Sequence, residues 1–98
     1  MIEKKPGAIR FGEALGTGVS SAFVNLRSEI MKDAALSAKD KALIALACSV
    51  AIRCDSCVEF HKKEAISAGA TREEMLEAAA IGGLIRLGSG FESASKIL

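Results

Sequence analysis

Residues 37–52 read SAKDKALIALACSVAI, and ten of the eleven residues from Ala42 to Ile52 are apolar. Ser37 followed three residues later by Asp40 is typical of a helix N-terminus, because a serine oxygen there can accept a backbone N–H of the first turn. The segment therefore predicts a helix that is apolar on every side and ends near Ile52. Such a helix must be surrounded, and a chain of 98 residues has little with which to surround it. Self-association is the simplest solution.

The segment before this helix has a weaker helical pattern. Apolar residues recur at every third or fourth position from Phe11 to Ile30, as on one face of a helix. Glycines at positions 12, 16 and 18 each cost roughly 1 kcal/mol in a helix interior, so the firm start of this helix is placed near Val19. Residues 1–10 show no clear period and are expected to form a tail or an arm.

The second half of the chain carries clearer helix signals. One helix is expected over about residues 54–68, because Gly69 can adopt the left-handed conformation that ends a helix. Thr71 and Glu74 form a capping box that opens the next helix, expected over residues 72–87.

Glycines mark the last part of the chain as well. Gly82 and Gly83 lie inside the predicted helix, where a missing side chain lets another helix approach closely. The Gly-Ser-Gly sequence at 88–90 is expected to end that helix, and residues 91–98 to form a short last one. The fold class predicted is all-α, a single domain over residues 1–98 with about five helices.

Composition and charge exclude several classes of function. The chain has 17 Ala, four Phe and neither Trp nor Tyr, which favours closely packed helices over strands. The net charge is +1 and the basic residues are scattered, so no nucleic-acid or anionic-membrane partner is predicted. The longest apolar stretch is too short to cross a bilayer. No apolar segment follows Lys4 and Lys5, so no secretory signal is predicted and a cytoplasmic location is expected.

Residues 53–61, RCDSCVEFH, carry the chemistry. At about 100° per residue, Cys54, Cys57 and His61 fall within a stripe about 60° wide on one helix face. Two such cysteines can form a disulfide with little backbone movement, and an imidazole beside them can accept a thiol proton. The helix N-terminus and Arg53 both favour a thiolate, so a lowered thiol pKa is predicted on at least one cysteine.

Two simpler interpretations of these cysteines compete with redox chemistry. A zinc site is disfavoured because only three ligands lie together, and zinc prefers four. Cys48, six residues before Cys54, is expected to fill core space as a small hydrophobe. Packing alone does not account for a histidine placed four residues after the second cysteine, so redox chemistry is the favoured interpretation.

Residues 36–61, together with 62–74 and 88–90, resemble the AhpD-like (alkylhydroperoxidase-like) and carboxymuconolactone decarboxylase superfamily. The resemblance rests on the sequence LSAKDKALIALA followed by Cys-x-x-Cys-x-x-x-His. It implies an all-α fold in a homo-oligomer, a trimer or hexamer. It also implies a peroxidase or disulfide reductase that cycles Cys54 and Cys57 between dithiol and disulfide, with His61 as proton relay. Such an enzyme takes a hydroperoxide or disulfide substrate and an external dithiol or thioredoxin-like reductant, and it needs no bound cofactor.

The chain departs from the superfamily pattern at Ala42. Peroxidase members commonly have a glutamate there, twelve residues before the first cysteine, which completes a proton relay with the histidine. Glu29, Glu59 and Glu64 are the candidate replacements. Either cysteine can be the first to attack. His61 favours activation of Cys57, whereas Cys54 lies nearer the helix end.

Two rival functions stay open at this point. One is the lactone decarboxylase that gives the superfamily its name, which would have no use for two cysteines. The other is a non-enzymatic helical assembly whose cysteines bind metal or sense oxidation.

Overall fold

The computed structural model describes residues 5–98, which form five α-helices and contain no strand. The helices are α1 (Gly7–Leu15), α2 (Thr17–Met31), α3 (Ala38–Ala51), α4 (Asp55–Ser67) and α5 (Arg72–Ala94), followed by a 3-10 turn (Ser95–Ile97). The prediction of an all-helical chain with about five helices is confirmed. None of these helices combines the length and the hydropathy that crossing a bilayer requires.

Helix α3 lies at the centre, packed against α4 on one side and α5 on the other, whereas α1 packs mainly on α2. Ala42 and Ala65 are fully buried, and Leu46 and Ser49 nearly so. Gly82 of α5 sits so close to α3 that a Cβ there would lie 2.3 Å from the carbonyl oxygen of Ala47. The predicted close helix approach is therefore confirmed at Gly82, whereas Gly83 faces open space.

Local capping signals set the helix starts as predicted. The Ser37 oxygen accepts the Asp40 N–H at 3.0 Å at the start of α3. Thr71 and Glu74 exchange both hydrogen bonds of the capping box at the start of α5. After α4, Gly69 has φ +92°, the left-handed conformation expected of it.

The first helical region differs from the expectation. Helix α1 begins at Gly7, inside the segment expected to be a tail or an arm, whose residues 1–4 lie outside the described part of the chain. The Phe11-to-Ile30 pattern is not one helix with a late start, because the chain breaks at Gly16, which has φ +125°. Only glycine adopts such a φ at little cost, so this glycine separates α1 from α2.

The end of the chain also corrects a prediction. Helix α5 continues through residues 88–90 to Ala94. The predicted helix end at residues 88–90 and the predicted separate helix over residues 91–98 are therefore both wrong. Glycine weakens a helix interior by roughly 1 kcal/mol but does not remove a backbone hydrogen bond, as proline does. The two glycines are therefore tolerated here without a break.

Much of the apolar surface is not covered within the single chain. Ile44 of α3 is 49% exposed, and Ile81 and Ile85 of α5 are 58% and 60% exposed. Cys48 lies on the same surface and is also exposed, so the expectation that it fills core space is wrong. The physical reason is that α4 and α5 cover only part of an α3 that is apolar all round.

Candidate active site

The turn between α3 and α4 places the first cysteine. Arg53 has φ +59°, a left-handed conformation that is uncommon outside glycine. Its N–H donates to the Val50 carbonyl at 3.0 Å, and the Cys54 N–H donates to the Ser49 carbonyl at 3.1 Å. These two bonds are the Schellman pattern of a helix C-terminus, and they turn the chain directly from α3 into α4.

Cys54 is the N-cap residue of α4 and is joined to Cys57 by a disulfide bond. The Cys54 Sγ accepts the Cys57 N–H at 3.3 Å and lies 3.6 Å from the Ser56 hydroxyl oxygen. Free N–H groups at a helix start stabilise negative charge, so the reduced Cys54 sulfur would occupy a favourable place for a thiolate.

His61 follows one turn after Cys57 on the same helix and is hydrogen-bonded to a carboxylate. Its Nδ1 lies 3.1 Å from Oε1 of Glu64, and the side chains of both residues are 23% exposed. Because an ionised carboxylate only accepts hydrogen bonds, this contact places the ring proton on Nδ1 and leaves the lone pair on Nε2.

Arg27 of α2 completes the cluster from another part of the chain. Its guanidinium forms an ion pair with Oε2 of Glu64 and lies 4.9 Å from the centre of the Phe60 ring. The Phe60 ring packs edge-on against His61, with centroids 5.1 Å apart and planes at 82°. Sequence reasoning missed Arg27, since no local spacing signals a contact between α2 and α4, and it assigned no role to Phe60, although Phe60 precedes His61 in the chain.

A cavity of about 330 Å³ opens beside the disulfide, a size suited to a small ligand. The three predicted site residues, Cys54, Cys57 and His61, all line it. The rest of its wall is mostly apolar and comes from three helices and the residue before α1: residues 6–9, Phe23, Arg27, Ser56 and Phe60.

Electrostatics keep His61 neutral to a lower pH than usual. Burial lowers its pKa below the ordinary value of 6.5, and the positive charge of Arg27 lowers it further. A neutral imidazole near neutral pH can accept a proton, which is the state a general base requires.

The structure distinguishes between the three carboxylates that could replace the glutamate absent at Ala42. Glu64 lies beside His61, whereas Glu29 pairs with Lys32 on the exposed surface and Glu59 is exposed on α4. Ala42 is fully buried. Within residues 5–98, no group of three His, Cys, Asp or Glu side chains is arranged to hold a metal ion.

The fold and the site together define an all-helical protein with a Cys-x-x-Cys disulfide and a histidine at one cavity. Comparison with known families finds that residues 18–98 match the carboxymuconolactone decarboxylase family. The chain belongs to this family, which confirms the resemblance found in the sequence.

Individual relatives align with nearly the whole length of the chain. An uncharacterized protein of Cupriavidus necator is 41% identical over 97 residues, spanning 99% of this chain and 83% of the relative. "Uncharacterized protein 4 in cox locus" of Paracoccus denitrificans is 35% identical over 97 residues, spanning 99% of this chain and 87% of the relative. A crystal structure of a Methanobacterium thermoautotrophicum protein has a TM-score of 0.81 and 46% identity, covering 93% of this chain and 98% of that one.

Proposed function

We propose that this protein is a thiol-dependent oxidoreductase that reduces a hydroperoxide or a disulfide through Cys54 and Cys57, with His61 as the proton-transfer residue. The observation that carries the proposal is the cavity whose wall contains both sulfurs and the imidazole. A cycling dithiol needs a reducing compartment, so we expect the protein to work in the cytoplasm.

With a hydroperoxide, the cycle begins from the dithiol. One thiolate attacks the peroxide oxygen, an S–O bond forms, the O–O bond breaks, and the alcohol leaves with a proton that His61 had taken from the thiol. The sulfenic acid then condenses with the second thiol, which forms the disulfide and releases water. The peroxide is reduced by two electrons, and the cysteine pair is oxidised by two.

An external dithiol closes the cycle by two exchange steps. Its thiolate attacks one sulfur of the disulfide, and its second thiol then resolves the mixed disulfide. The protein returns to the dithiol and the reductant leaves as a disulfide. A small dithiol or a thioredoxin-like protein supplies this chemistry, and no bound cofactor is required.

The test is peroxide consumption by the reduced protein with dithiothreitol as reductant, using cumene hydroperoxide and hydrogen peroxide in parallel. The variant that lacks the attacking cysteine, Cys54→Ser or Cys57→Ser, and the double variant should have no turnover, and His61→Gln should lower turnover roughly 10²- to 10⁴-fold. Cys48→Ser is the matched control, because this cysteine lies outside the cavity, and it should keep wild-type turnover. Turnover that survives loss of both Cys54 and Cys57 would overturn the proposal.

A lactone decarboxylase is the second candidate, and the family description favours it. Decarboxylation of a lactone has no use for a redox-active sulfur pair. Lactone turnover by the Cys54→Ser, Cys57→Ser double variant, with no peroxide turnover by the wild type, would establish decarboxylation instead.

We also propose that the exposed apolar surface of α3 and α5 binds further copies of this chain in a homo-oligomer such as a trimer or hexamer. The protein exposes 7343 Å², whereas a compact monomer of this mass exposes about 5,300 Å². The difference of roughly 2,000 Å² per copy is the amount that obligate assemblies cover. The radius of gyration of 15.8 Å also exceeds the value of about 13 Å expected for this length.

A further inference from the structure

We propose that Glu64 supplies the carboxylate that the chain lacks at Ala42, and that Arg27 is a positioning residue that holds Glu64 and offsets its charge. The role in turnover rests on the proposed redox function, whereas the pairing itself can be tested without any substrate. The relay would then consist of Glu64 and His61, and Arg27 of α2 would hold Glu64 without taking part in proton transfer.

The first step of the argument is geometric. One Glu64 oxygen lies 3.1 Å from Nδ1 of His61, and the other is paired with Arg27. Both oxygens are therefore engaged, which fixes the carboxylate against rotation. The ring is held as the tautomer that carries its proton on Nδ1, so Nε2 is the nitrogen that can accept a proton.

The second step concerns charge. A carboxylate beside an imidazole normally stabilises the protonated ring, which would spoil His61 as a base near neutral pH. The guanidinium of Arg27 offsets that effect, and the His61 pKa stays below its ordinary value because of burial and this positive charge. Glu64 can therefore orient the ring while the ring remains neutral.

Arg10, Glu59 and Lys63 line a neighbouring cavity together with Glu64 and Phe60, whereas the cavity beside His61 has fewer charged residues in its wall. Besides Arg27, the titratable residues in the cavity wall are Cys54 and Cys57. The segment 6–9 contributes no charged residue, and no residue of α3 or α5 lines the cavity. Arg27 is the charged residue that shares this cavity wall with His61, and Glu64 is the carboxylate hydrogen-bonded to the ring.

A third observation explains how the long side chain of Arg27 is held in place. The Arg27 guanidinium also lies over Phe60, which in turn packs edge-on against His61. Cation–π contact adds to the ion pair, so the guanidinium has two partners on α4. Arg27 thus links α2 to the helix that carries the site.

His61 is the single histidine of the chain, so its pKa can be followed by NMR without assignment ambiguity. The oxidised protein is used, so that neither active-site thiol titrates. Glu64→Gln should lower the His61 pKa further, because the Arg27 charge becomes unbalanced. Arg27→Gln should raise it, because the carboxylate becomes unbalanced, and Arg27→Lys should leave it near the wild-type value.

Glu59→Gln is the matched control, because Glu59 is an exposed glutamate on the same helix and should leave the His61 pKa unchanged. Wild-type-like amide spectra for each variant establish that the fold is intact. Shifts in the same direction for Glu64→Gln and Arg27→Gln, or no shift in either, would overturn the proposal. The opposite signs and the rescue by lysine test the charge balance at the ring, and turnover tests whether that balance serves catalysis.

Turnover then provides the second readout. Glu64→Gln should lower peroxide turnover at neutral pH roughly 10- to 100-fold, while Glu59→Gln should not. If the pKa shifts appear and the wild type still fails to consume peroxide or disulfide, the proposed function fails while the pairing stands. If the wild type is active and Glu64→Gln keeps full activity, the relay assignment fails and the proposed function stands.

Discussion

Cys54 has two structural roles at once, since it caps α4 and forms half of the disulfide. The donors around its sulfur are the Cys57 N–H and the nearby Ser56 hydroxyl. After reduction the same groups would stabilise a Cys54 thiolate, in addition to the helix N-terminus. These contacts support a thiolate at Cys54, one of two cysteines whose order of attack the sequence left open.

We therefore expect the Cys54 thiol to have the lower pKa of the pair. The measurement is the ultraviolet absorbance of the thiolate as a function of pH, made on Cys57→Ser and on Cys54→Ser. Both variants carry Cys48→Ser, so that one thiol titrates in each. A lower pKa at Cys57, or ordinary values of about 8.5 at both positions, would contradict the expectation.

Which site residues could be predicted depends on how far apart they lie in the chain. Cys54, Cys57 and His61 share one helix, so helical spacing was sufficient to place them together. Glu64 was one of three candidate carboxylates, and nothing in the sequence separated it from Glu29 and Glu59. Arg27 comes from a different helix, and its contact depends on how α2 packs, which local pattern does not encode.

At the level of the helices, the contact between α5 and α3 depends on one missing side chain. A Cβ at Gly82 would meet the Ala47 carbonyl oxygen at 2.3 Å and the Val50 Cβ at 2.9 Å. Backbone atoms cannot move aside cheaply, so any side chain here must push the two helices apart.

Gly82→Ala should therefore destabilise the protein by about 1–3 kcal/mol, as overpacking does. Gly83→Ala is the matched comparison, because the adjacent position is exposed and open. That substitution should stabilise the helix by up to about 1 kcal/mol. Urea denaturation measures the free energy of unfolding of each variant. Equal changes in the two variants would show that helix propensity, and not the contact with α3, determines the effect.

The helix boundaries show what local sequence does and does not encode. The helix starts at Ser37 and Thr71 were predicted correctly, because a capping side chain accepts a backbone N–H only three residues further along the chain. Glycines were ambiguous signals for a helix end. A helix ends at Gly16, whereas α5 continues through Gly88 and Gly90. The residue type alone does not distinguish the two outcomes.

At the scale of the whole molecule, the proposed assembly gives a direct prediction. Ile85→Glu should convert the native oligomer into smaller species, because the charge would be buried between copies. Ile85 is 60% exposed within the chain, so the fold of one copy should survive. Lys62→Glu, a charge change of the exposed α4 surface, serves as the control. Native mass spectrometry reads the oligomer, and an unchanged mass for Ile85→Glu would contradict the prediction.

The short turn at Arg53 joins this surface to the sulfur chemistry. The Cys54 N–H is bonded to Ser49 of α3, the same helix that presents Ile44 and Cys48 to the outside. A displacement of α3 on assembly would therefore reach the disulfide through one hydrogen bond. If the dithiol and disulfide forms differ in their affinity for another copy, thermodynamic reciprocity requires the midpoint potential to change with protein concentration.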